Sequence, residues 1–180
     1  MIRALAVAMT ALCAPAQAAD FEFCWIGANG YRMEGTMRVP HDRLNEPLLD
    51  HDDITGFFIQ GFKDDIPLGA WDLRQLTPDT SWNLSFDPRA MVFPTGGMHD
   101  SASGQAWNAG GAADDCGDPG FGFNSGTNAQ DLCVKNIWRM DSMINRYTRF
   151  PVFAAGTSTR LCGGAPLLGQ APHMAQTASK

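Results

Sequence analysis

The chain's most regular feature is a two-residue alternation of large apolar and polar side chains. Tyr31, Met33, Gly35, Met37 and Val39 alternate with Arg32, Glu34, Thr36 and Arg38, which is the pattern of a half-buried strand. Residues 21–26 carry large apolar groups ahead of it, and Gly27-Ala28-Asn29-Gly30 lies between. Asn and Gly accept the positive φ that a tight turn requires, so the two segments predict a hairpin. Further strands are expected over residues 54–62, 67–76 and 80–86. In the last of these Trp82, Leu84 and Phe86 face one way and Ser81, Asn83 and Ser85 the other. Shorter strands are expected at 91–93, 105–107 and 131–135, with a weaker one at Phe121 and Phe123 between glycines. Residues 137–147 lack the alternation and predict a helical turn.

Seven or eight short strands separated by turn residues imply an all-β fold, an antiparallel β-sandwich or flattened barrel. Composition agrees. The 180 residues include 19 Gly and 11 Pro, which break helices and feed turns.

The N-terminus reads as an export signal. Arg3 supplies a positive start, residues 4–16 are apolar apart from Thr10, and Ala16-Gln17-Ala18 is the small-x-small pattern of a cleavage site. Residues 1–18 are therefore expected to be a signal peptide, residues 19–162 a single domain, and residues 163–180, rich in small residues and without periodicity, a flexible tail. No run of roughly 18 apolar residues is present for a spanning helix. The formal charge of −6 argues against bulk neutralisation of phosphates, and so against a nucleic-acid partner.

Removal of the leader discards Cys13 and leaves Cys24, Cys116, Cys133 and Cys162. An even set in an exported chain predicts two disulfides. Four cysteines allow three pairings. The favoured one joins Cys116 to Cys133 across a Gly-rich loop and Cys24 to Cys162 across the domain, with the local bridge worth about 3 kcal/mol in loop entropy and the long one somewhat more. Zinc is disfavoured because no Cys-x-x-Cys pair exists.

Candidate chemistry concentrates in residues 108–131. Asp114, Asp118, Asn124 and Asp131 offer oxygen ligands in a Gly-rich stretch, which suits calcium, though the spacing fits no EF-hand loop and the same residue types serve ordinary turns. Trp107 and Asn108 adjoin this stretch and are the candidate ligand-binding residues; Trp107 and Trp71, beside glycines and polar groups, are the tryptophans expected at a surface, where they would stack on a sugar. Met33 and Met37 fall on an apolar strand face and are expected to fill core space rather than bind copper. His41-Asp42, His51-Asp52 and His99-Asp100 would serve acid–base chemistry only if their loops converged. No Gly-x-Ser-x-Gly elbow, phosphate loop, dinucleotide fingerprint or His-Glu-x-x-His motif occurs.

The expectation is a secreted or periplasmic, non-catalytic binding or structural module, disulfide-stapled and calcium-stabilised, with a saccharide or an envelope component as partner. The rivals are a small secreted hydrolase using loop His and Asp residues, and a carbohydrate-binding module with exposed tryptophan.

Overall fold

A computed structural model describes residues 17–110, 113–157 and Cys162. Most of the expected leader and the whole of the expected tail lie outside the described residues. Within them the chain forms thirteen strands, eight of which are five residues or longer. They are β1 (Ala18–Ile26), β2 (Tyr31–Pro40), β3 (Leu49–Asp50), β4 (Gly56–Lys63), β5 (Ile66–Asp72), β6 (Trp82–Asn83), β7 (Ser85–Phe86), β8 (Val92–Phe93), β9 (Gln105–Trp107), β10 (Phe121–Ser125), β11 (Ala129–Val134), β12 (Ile137–Asn145) and β13 (Phe150–Ala154).

Six strands pair in the order β5-β4-β2-β1-β13-β8, five in the order β12-β11-β10-β9-β6, and β3 with β7 as a small ribbon. Every strand pairing is antiparallel. The two large sheets stay separate, so the molecule is a sandwich and not a barrel. Both disulfides form as the spacing suggested, Cys24–Cys162 and Cys116–Cys133, with Cα separations of 5.6 and 6.0 Å.

The β1–β2 hairpin turns through Asn29 and Gly30 at φ 51° and 80°. Alternation then sends Phe23, Met33, Met37 and Ile59 inward from the larger sheet, where they meet Trp107, Phe121, Phe123 and Leu132 from the smaller one; all are buried. The inward rings pack mostly edge to face or tilted, arrangements their quadrupoles favour over a face-to-face sandwich. Trp107 alone lies within 6 Å of Phe23, Phe57, Phe93, Phe123 and Phe150. Two glycines give these rings room. A Cβ on Gly35 would stand 2.3 Å from the Phe23 ring, and one on Gly61 would stand 2.1 Å from the Phe121 ring.

The structure departs from the sequence expectation in four places. Residues 80–86 do not form one strand: β6 belongs to the five-stranded sheet, β7 to the ribbon, and the chain crosses between them at buried Leu84. The buried Gln105 side chain holds the crossing, accepting from Ser85 N–H at 3.0 Å and donating to Pro94 O at 2.8 Å. Residues 137–147 are strand rather than helix. Between Gln130 and Leu132 the register of β11 slips against β12, where Gln130 faces Ile144 and Leu132 faces Arg139. Residues 140–143, four opposite the single Asp131, form a bulge, which destroys the two-residue period in the sequence. Ser142 stitches the bulge, its hydroxyl accepting from Leu132 N–H and donating to Arg139 O. Residues 150–154, not expected as a strand, form β13: Val152, Phe153 and Ala154 pair with β1, and Pro151, which has no N–H to donate, pairs with Val92 of the two-residue β8. Finally, Trp71 and Trp107, expected at a surface, are 3% and 0% exposed and belong to the core.

Two substitutions test this packing. Trp107→Ala should destabilise the fold by about 3–5 kcal/mol. Gly61→Ala should cost about 1–3 kcal/mol through overpacking against the buried Phe121 ring, despite adding one methyl group. Denaturant unfolding monitored by tryptophan fluorescence measures both.

Candidate functional site

The region singled out by composition, residues 108–131, spans the loop after β9, strand β10 and the first part of β11. Asn108 spends its amide on structure, donating to Phe121 O at 2.8 Å and Cys116 O at 3.3 Å. Its neighbour Trp107 is enclosed by rings and presents no face to a ligand. Asn124 and Asp131 are direct cross-strand partners on β10 and β11, whereas Asp114 and Asp118 lie exposed in the preceding loop. Only half of the four expected calcium ligands are thus brought together. Among the described residues no three His, Cys, Asp or Glu side chains gather as a metal set.

Asn124 and Asp131 are 9% and 4% exposed, and the Oδ1 atom of each is buried without a hydrogen-bond partner. Burial pushes the Asp131 carboxyl up to about 7, with the neighbouring Trp138 indole pulling the other way. A neutral carboxyl is the only form of Asp131 that carries a donor, in a place where two acceptor oxygens lack one.

The histidines stay apart. His41 and His51 sit in separate short 3-10 turns, and His99 lies in the loop before β9 near Gly126. Arg43 of the first turn donates to Asp53 of the second at 2.6 Å, so the two turns are tied by an ion pair rather than by the imidazoles.

The opposite face of the sandwich is different. A groove of about 410 Å³ runs over the outer face of the six-stranded sheet, lined by Asp20, Arg38, Gly56, Phe58, Asp72 and Arg74 among others. Register assembles it. Asp20, Arg38 and Gly56 form one cross-strand row, and Thr36, Phe58 and Asp72 the next. Gly56, a lining residue of the groove, has no side chain to fill the space beside Arg38.

Two Asp–Arg forks flank the groove. Arg38 donates through Nε and Nη2 to Asp20 at 2.7 and 3.2 Å. Arg74 donates through Nε and Nη2 to Asp72 at 2.8 and 2.7 Å, and its backbone N–H caps the same carboxylate at 2.9 Å. The guanidinium hydrogen bonds hold both carboxyls below the usual aspartate range and raise both arginines. Between the forks Phe58 stands 37% exposed, an aromatic ring turned to solvent on a strand whose neighbours Phe57 and Ile59 are buried.

No protein-family model matches this chain, and no curated protein or solved structure matches it.

Alternation in the sequence carries one clue to this groove. In residues 54–62, turning Phe57 and Ile59 inward forces Phe58 outward. The remaining lining comes from separate strands and has no contiguous motif.

Asp131 yields a pH prediction. Below about pH 4 the carboxyl is neutral in both folded and unfolded chains; between about 4 and 7 the folded protein retains a proton that the unfolded chain has released. Stability should therefore fall as pH rises through that window, by about 4 kcal/mol in all, and level off above it. Asp131→Asn should flatten the slope relative to the parent when melting temperature is followed from pH 4 to pH 8.

Proposed function

We propose that this chain is an exported, non-catalytic binding module, and that the groove around Phe58 seats a neutral saccharide. The observation that carries the reading is the half-exposed Phe58 ring set between two bidentate Asp–Arg forks. A sugar offers an apolar C–H face to such a ring and hydroxyls to the polar groups beside it. The forks fix donors and acceptors in place before binding, which lowers the ordering cost of recognition. Each fork also cancels its own charge, and the chain as a whole is acidic at −6, so neither feature draws an anionic ligand.

Two disulfides in a domain of this size support an oxidising compartment. Among the described residues no helix is long and apolar enough to cross a membrane. The groove's carboxylates argue against glycoside hydrolysis there. A general acid needs a raised pKa, whereas Asp20 and Asp72 are both lowered by their arginines.

Calorimetric titration with short neutral glucan, mannan and xylan oligosaccharides tests the proposal. At least one series should bind, and Phe58→Ala should weaken it about tenfold, or about 1.4 kcal/mol, without lowering the melting temperature appreciably. Absence of heat with all three series, or binding indifferent to Phe58→Ala, would overturn it.

A further inference from the structure

The row of side chains that contains Phe58 does not end at the groove. Phe58 faces Thr36, Thr36 faces Glu22, and Glu22 faces Phe153 on β13, all directly opposed across neighbouring strands. On the other side Phe58 faces Asp72. Five strands thus contribute one continuous line, Phe153–Glu22–Thr36–Phe58–Asp72, on the outer face. Its two aromatic members are both exposed, Phe58 at 37% and Phe153 at 36%. Glu22 and Thr36 occupy the interval between them. Three strand spacings separate the rings, or about 14 Å.

From this geometry we infer that the ligand is an extended neutral polysaccharide chain lying across the strands, in contact with Phe58 and Phe153 together. The inference rests on the saccharide reading of the Phe58 groove and adds the length, direction and shape of the ligand. A single sugar ring cannot reach both aromatics; a chain can, with Thr36 and Glu22 facing its hydroxyls on the way.

Sheet twist adds a second requirement. Neighbouring strands rotate by roughly 20–25° about an axis that runs across the sheet, so three intervals turn one ring relative to the other by about 60–75°. That axis is the line along which the chain would lie. A ligand touching both rings must therefore rotate about its own length by a similar amount. A flexible soluble chain can do so. The flat face of a crystalline polysaccharide presents parallel chains that cannot, and should meet one ring at a time.

A length series in solution tests the inference. Mono- through hexasaccharides of whichever glucan, mannan or xylan binds the parent protein are titrated against parent and Phe153→Ala. In the parent, affinity should step up about tenfold when the chain becomes long enough to reach both rings. In Phe153→Ala the ratio of long-chain to short-chain affinity should fall close to one, and Phe153→Tyr should restore it. A soluble glucan polymer should compete for the site, and microcrystalline cellulose should pull down the protein far less well. An affinity that ignores length, a step that survives Phe153→Ala, or equal retention on the crystalline polymer would overturn the inference while leaving short-chain binding at Phe58 intact. Loss of all short-chain binding would instead remove the reading on which it rests.

Discussion

The contact between the inward rings of the two sheets is the constraint from which the rest of this molecule follows. Phe23 on one sheet and Trp107 on the other sit at the centre of an edge-to-face cluster, and Gly35 and Gly61 leave the notches that let such large rings approach. Burying this much aromatic surface is the main favourable term available to a domain without helices. It also fixes the register of every strand it touches, because a slip of one residue would turn the rings to solvent and bring charges inward. The outward residues are thereby fixed as well. The Phe58 row is aligned across five strands because the inner face of the same strands has no freedom to shift.

The two outer faces use that rigidity differently. On the five-stranded sheet the Cys116–Cys133 bridge packs against Ala109, Asn108 anchors the loop, and Ile137, Trp138 and Met140 of β12 are exposed, whereas Asn124 and Asp131 are buried. Low access and unpaired oxygens make this a place where protonation state governs stability rather than a place where ligands arrive. On the six-stranded sheet the Cys24–Cys162 bridge ties Cys162 to β1, and among the described residues the groove around Gly56 is open. The buried Asn124–Asp131 pair bears on stability, and the Phe58 groove offers accessible surface.

Legibility in the sequence tracked how local the deciding forces were. The β1–β2 hairpin was readable because an alternating strand and an Asn-Gly turn are neighbours along the chain. The disulfide pairing was readable because a short loop and a long one divide four cysteines sensibly. Strand β12 was not, since a bulge at residues 140–143 erases its period; the same segment docks on the hairpin turn, where Asp141 accepts from Tyr31 and Asn29. Trp107 was placed at the surface because its immediate neighbours are polar or small, yet its surroundings are rings contributed from residues 23 to 150. The oxygen-rich loop drew attention by composition, but register joined only Asn124 to Asp131.

The amino-acid sequence by itself determined the all-β class and the first hairpin and favoured the two cross-links, because each depends on short-range periodicity, turn chemistry or cysteine spacing. Tertiary structure alone decided which residues share a face. Period-two alternation states that a side chain points to one side or the other, and says nothing of which strand lies beside it. Asp20, Arg38, Gly56, Phe58, Asp72 and Phe153 become one surface only when four antiparallel registers are set, and those registers are set by the packing of buried rings on the opposite side of the same sheet.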